Sequence, residues 1–224
     1  MLLQRCTDKT SPISAFLAML AMLVLAGCGG STAVKSPGAQ QQPAGSGVTQ
    51  VGDAVHPDIP PAALTLFEQA AASMAGGDFV DAELRFKEFL LQYPEYPGAH
   101  VNLAIIHASN GNDAAARGSI DAALALEPNH PAALNQMGML LRRNGNFLEA
   151  EAAYLKAVTV SPDYALAHYN LGVLNELYLQ RLEAALQNFE TYQSLVGEDK
   201  QVEKWITDLT RRIAANQRTA NVAD

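Results

Sequence analysis

The spacing of apolar residues along the chain changes twice. An almost unbroken apolar run, 13 residues from Ile13 to Leu25, comes first. Residues 29–60 then show neither the period of 3.6 expected of an amphipathic helix nor the period of 2 expected of a half-buried strand. Beyond that point apolar residues recur at i, i+3, i+4 and i+7. This predicts helices near 62–75, 79–92, 97–109, 113–126, 131–143, 147–160, 165–178 and 182–195. A last helix near 199–216 places Val202, Trp205, Ile206, Leu209 and Ile213 on one face, and Lys200, Lys204, Asp208, Arg211 and Arg212 on the other. The punctuation agrees. Gly77, Gly111 and Gly145 fall between paired helices, where a positive φ is cheap. Pro94, Pro128 and Pro162 fall after every second helix, which they cannot continue.

Those three prolines are 34 residues apart, and a full pattern returns with them. The unit 131–164 gives Leu134, Met137, Gly138, Leu141, Gly145, Phe147, Ala150, Tyr154, Ala157 and Pro162. The unit 97–130 gives His100, Leu103, Ala104, His107, Gly111, Asp113, Ala116, Ile120, Ala123 and Pro128. The unit 63–96 gives Leu66, Gln69, Ala70, Ser73, Gly77, Phe79, Ala82, Phe86, Phe89 and Pro94. The fourth, 165–198, begins with His168, Leu171 and Gly172. It reaches Ala185, Phe189 and Tyr192 only if one residue is inserted near Leu179–Arg181, and it lacks the turn glycine and the closing proline. This pattern resembles the tetratricopeptide repeat (TPR). The resemblance implies an all-α, right-handed solenoid of four helix pairs over 61–218, closed by the helix at 199–216 and followed by a tail, 219–224. Small residues at Ala70, Ala104, Gly138 and Gly172, and at Ala82, Ala116, Ala150 and Ala185, would let the paired helices approach. Much of the chain's alanine thus gains a location.

The N-terminal run reads differently. Arg5 and Lys9 precede it, and it is too short to span a bilayer comfortably, as a secretory signal would be. Its end, Leu25-Ala26-Gly27-Cys28, resembles the bacterial lipobox. That resemblance implies a signal peptide over 1–27, cleavage before Cys28 and a diacylglyceryl group on its sulfur. Two or more acyl chains make a stable anchor, each methylene adding about 0.8 kcal/mol. Gly29 stands where an aspartate would retain a lipoprotein in the inner membrane, so the sorting rule implies the outer membrane, facing the periplasm of a Gram-negative bacterium. Residues 28–60 are rich in Gly, Ser, Pro and Gln and read as a disordered linker. As a flexible coil of that length it would reach about 30 Å.

The net charge of −8 argues against a nucleic-acid binder, which normally shows a basic face. Two cysteines, one of them inside the signal, exclude a disulfide framework. No phosphate-cradling glycine loop, nucleophile elbow or histidine zinc motif appears, so neither catalytic nor metal-binding residues are assigned, and no cofactor beyond the lipid on Cys28. His100 and His168 occupy repeat position four, where the family has tryptophan, and read as packing residues. Acidic residues such as Asp78, Asp81, Glu83, Glu149 and Glu151 sit at helix starts, where they suit the helix dipole.

In this family the concave face, lined by the first helix of each pair, takes an extended peptide or a partner helix. Mapped onto this chain, the inward residues are Asn102, Ile105, Asn135, Met139, Arg142, Tyr169, Asn170, Val173 and Glu176, with Phe67 and Ala71 in the first repeat. Asn102, Asn135 and Asn170 read equally well as bonds between neighbouring repeats. The basic clamp of chaperone-type repeats is missing, because Val101, Ile105, Gln136, Leu166 and Asn170 stand at its positions. The resemblance therefore implies a non-enzymatic scaffold for a protein or peptide partner in the cell envelope, like the lipoproteins that assemble type IV or tight-adherence pili and their secretins. Alternatives from the same features are an adaptor for peptidoglycan hydrolases and an accessory subunit of a TonB- or Tol-like energy-transducing system.

Overall fold

Proline opens three of the nine helices formed by residues 60–223, the part of the chain described by a computed structural model. Pro61 opens α1 (Pro61–Ala75), Pro97 opens α3 (Pro97–Ser109) and Pro131 opens α5 (Pro131–Arg143). At a first helical position the missing N–H costs nothing. Each of these helices stops at a glycine with positive φ: Gly77 at 81°, Gly111 at 73° and Gly145 at 81°. An Asp or Asn follows directly. The Asp78 carboxylate accepts the Asp81 N–H at 3.0 Å and starts α2 (Phe79–Gln92); Asn112 Oδ1 accepts the Ala115 N–H at 3.1 Å and starts α4 (Asp113–Leu126). Asn146 precedes α6 (Phe147–Val160).

The fourth pair departs from this plan. Helix α7 (Ala165–Leu174) widens into a π-helical turn, Asn175–Leu179, before α8 (Leu182–Val196). The extra residue expected near Leu179–Arg181 is absorbed one turn upstream, where the Arg181 N–H reaches back to the Asn175 carbonyl at 2.8 Å. Gln180 takes the left-handed conformation, φ 55°, that glycine takes in the other three turns. The last helix, α9 (Lys200–Ala223), also runs past the expected end near 216 and leaves no separate tail of the length anticipated.

With positions counted from 63, 97, 131 and 165, position eight faces the centre of the paired helix. A Cβ added at Gly138 would lie 2.5 Å from the Tyr154 ring, and one at Gly172 would lie 2.6 Å from the Phe189 ring. In the first two repeats Ala70 and Ala104 stand there, with Phe86 and Ile120 as the large partners, all buried. Glycine is thus required where the ring of Tyr154 or Phe189 approaches α5 or α7 this closely. The buried side chains form a chain of clusters, one handing on to the next. Charged and polar groups join successive repeats at the surface. Lys156 Nζ donates to the Pro128 carbonyl at 2.8 Å, Arg181 meets Glu151 at 2.5 Å, and Arg143 Nη1 donates to the Ala108 carbonyl at 2.8 Å while pairing with Asp113.

Candidate functional site

The first helices of the pairs, α1, α3, α5 and α7, carry the residues expected to line the concave face, except Glu176, which lies in the π turn after α7, and the structure divides those residues into two sets. Asn102, Asn135 and Asn170 turn sideways into the seam between adjacent first helices. Asn170 Nδ2 donates to Asn135 Oδ1 at 2.9 Å, with both side chains fully buried, and Asn135 also takes part in a hydrogen bond with the Tyr164 hydroxyl. Burial still pushes the Tyr164 hydroxyl up to about 12. Asn102 is buried at the equivalent seam, and its Oδ1 has no hydrogen-bond partner among the described residues. These three amides bond or pack between repeats and do not face a partner.

Tyr169 and Val173 are corrected in the same way. Helix α9 lies over them. The Tyr169 ring centroid is 5.9 Å from Trp205, 5.3 Å from Tyr192 and 6.0 Å from Phe189, and Val173 joins that cluster with Val202 and Leu209. The repeat pattern identified the inward face but could not show that the closing helix would occupy its C-terminal end. Glu176 is engaged as well, held by Arg212 Nη1 at 2.9 Å, with the same guanidinium reaching Asp208 at 3.5 Å.

Ile105, Met139 and Arg142 remain partly exposed, one helical turn or one repeat apart. Phe67, Ala71 and Met74, also partly exposed, extend this strip into the first repeat. The Arg142 guanidinium stands near the Tyr154 and Tyr169 hydroxyls. Its charge partly offsets the rise that burial imposes on both. Arg142 has no carboxylate within ion-pair distance among the described residues.

The histidines are joints. His168 Nε2 faces the Pro162 carbonyl at 2.9 Å, and His100 Nε2 faces the Pro94 carbonyl at 3.4 Å, so in each ring this nitrogen carries the proton. Each therefore ties its repeat to the closing proline of the one before. Burial holds His100 below the usual histidine range, the Pro94 contact opposing this in part. Among the described residues no three metal-ligating side chains converge, and no helix is long and apolar enough to cross a membrane.

Two exposed apolar features escaped the sequence reading. Val80, Leu84 and Leu91, on the outer face of α2, are 82%, 65% and 85% exposed. Beside the π turn, Tyr178 stacks on Phe147 with centroids 4.6 Å apart, and Leu177 next to it is exposed. A period search finds buried positions; it carries no signal for these. Cys28, the signal expected at 1–27 and the part of the expected linker up to residue 59 lie outside the described residues.

Family profiles described as tetratricopeptide repeat and TPR repeat match residues 73–140 and 138–178. The chain is a tetratricopeptide-repeat protein. Solved structures agree in fold. A structure of PilF from Pseudomonas aeruginosa is 22% identical, with a TM-score of 0.62, covering 69% of this chain and 70% of that one. A MamA fragment from Desulfovibrio magneticus is 20% identical, with a TM-score of 0.55, covering 72% and 91%. A Thermobaculum terrenum O-GlcNAc transferase mutant is 22% identical at a TM-score of 0.54, but the TPR chain spans only 26% of that protein. No relative of curated function matches in sequence. TPR stacks are scaffolds for protein–protein interaction, and this chain has that architecture.

Proposed function

We propose that this TPR protein is a lipid-anchored scaffold at the periplasmic face of the outer membrane, where it performs no catalysis of its own and helps to assemble an envelope machine of the pilus or secretin kind. The supporting observation is a combination. The lipobox-like Leu25-Ala26-Gly27-Cys28 stands before a polar linker, and the linker leads into a stack of helix pairs with a partly open concave face. The lipid would hold the stack at the membrane while the groove holds a subunit. The fold shared with PilF agrees with this reading.

The test has two parts. Cys28→Ala moves the protein from the membrane fraction to the soluble periplasm; continued membrane association refutes the anchor. Deleting the gene abolishes secretin multimers in the outer membrane. Intact secretins together with altered cell shape and co-purifying murein hydrolases assign the protein to cell-wall machinery instead. A defect confined to proton-driven uptake assigns it to an energy-transducing system.

A further inference from the structure

Among the described residues the arginines nearest the C-terminal half of the groove differ in how they are engaged. Arg143 is tied back to the second repeat through the Ala108 carbonyl and Asp113. Arg212 is shared between Glu176 and Asp208, and Arg211 also pairs with Asp208. Arg142 is left with no counter-charge among the described residues, although it is partly buried. A partly desolvated guanidinium without a carboxylate is an unfavourable arrangement that a carboxylate from outside would relieve. It offers the planar fork of donors that accepts such a group in bidentate geometry.

The surroundings of Arg142 narrow what that group is attached to. Met139 lies one turn earlier on α5, and Ile105 holds the equivalent place one repeat earlier on α3; both are partly exposed and apolar. Packed helices stand about 8–10 Å apart, and a peptide in the extended polyproline II conformation advances about 3.1 Å per residue and brings every third side chain to the same face. Three peptide residues therefore bridge the distance from Ile105 to Met139. The thioether of Met139 can adapt to side chains of different shape. Toward α9 the strip closes, because Val173 is covered and Glu176 is already paired.

We propose that the groove takes an extended peptide with two apolar side chains three residues apart, seated on Ile105 and Met139, and that Arg142 pairs with an Asp or Glu carboxylate beside the second. This names the partner chemistry of the groove and rests on the scaffold reading above. Charge complementarity sets the sign. A basic partner would meet an uncompensated cation, whereas an acidic one completes the only open pair on this strip among the described residues.

The experiment is a selection from a random dodecamer library displayed on phage, with the purified full-length protein as bait. The wild type is expected to enrich peptides with apolar residues at i and i+3 and Asp or Glu next to the second. A synthetic copy of the enriched peptide should bind Arg142→Gln about tenfold more weakly or worse, the loss expected for a charge-assisted pair. Its Asp→Asn analogue should bind the wild type and R142Q alike. Arg142→Glu should enrich Lys or Arg at the same place. Arg117→Glu, on the outer face of α4, should leave the enrichment unchanged. Enrichment of neutral or basic peptides overturns the partner chemistry. So do acidic peptides that bind R142Q at full strength. If those peptides are still weakened by Met139→Ala in a protein of unchanged helicity, the groove remains the contact surface and the scaffold reading survives. If neither R142Q nor M139A weakens them, the groove reading falls as well.

Discussion

The two ends of the solenoid are sealed by different means. In repeats two to four, positions three, six, seven and ten face the preceding repeat and are buried: Ala99, Asn102, Leu103 and Ile106; Ala133, Gln136, Met137 and Leu140; Ala167, Asn170, Leu171 and Leu174. In α1, which has no described repeat before it, the same positions hold Thr65, Glu68, Gln69 and Ala72, all exposed. Thr65, Glu68 and Gln69 make the outer surface of an otherwise ordinary helix polar. At the other end α8 keeps the apolar face of an internal repeat, and α9 covers it with Val202, Trp205, Ile206 and Leu209. No described helix follows α9, and its other sides carry Glu203, Lys204, Thr207 and Thr210, all exposed. A stack of nearest-neighbour units needs both ends finished. Finishing by substitution leaves the inner strip of the first repeat open, while finishing by addition covers the inner strip of the last.

The contrast can be broken most strongly at α9. Leu209→Ala removes a fully buried side chain from the covering helix and is expected to cost about 2–5 kcal/mol, read as a fall in the urea midpoint by circular dichroism. A loss within the roughly 0.5 kcal/mol typical of surface changes would make α9 a mere appendage. A smaller stability effect, also within about 0.5 kcal/mol, is expected from Gln69→Leu with Ala72→Leu on α1. This pair restores the apolar character of an internal repeat and should produce concentration-dependent self-association in sedimentation velocity. A monomer at every concentration would refute the polar seal.

The least effect concerns pH. His100 stands at the joint between the first and second repeats, and its folded pKa is lowered from 6.5, chiefly by burial. The neutral ring is therefore the form the fold prefers. Its contribution is complete above pH 6.5 and is lost as pH falls from there through the depressed folded value. Asp81 and Glu83, held low by Arg85 and Lys87, lose their contributions only at more acidic pH, from below about 4. Between pH 7.5 and 5 the amide protection factors of α1 and α2 should fall more than those of α8 and α9, and His100→Phe should flatten that difference. A difference as large in the variant as in the wild type would place the sensitive group elsewhere.

Much of this architecture is legible in the sequence, because glycine turns, closing prolines and small-against-large contacts each leave a mark at a fixed register. Gln69, standing where later repeats carry leucine or methionine, marks the polar end in the same register. The groove was less legible. Asn135 and Tyr169 share position five, and both turn toward the neighbouring helix; their direction follows from how the helices stack, which one residue's spacing does not encode. The extra residue expected near Leu179–Arg181 is taken up slightly earlier, in the π turn Asn175–Leu179, for a related reason. The pattern marks where register is lost, whereas the backbone takes up the extra residue where Asn175 can anchor it, its Nδ2 donating to the Leu171 carbonyl at 2.9 Å.

The polar face of α1 also bears on how such a gene could lengthen. A 34-residue unit duplicated at the front would set its newly exposed apolar side chains against Glu68 and Gln69, and one appended after α9 would meet a surface of Lys, Glu and Thr. Only a copy inserted inside the array, between residues 97 and 164, would find compatible neighbours on both sides. Growth by tandem duplication is thereby confined to the middle of the reading frame, with both termini kept as fixed bookends.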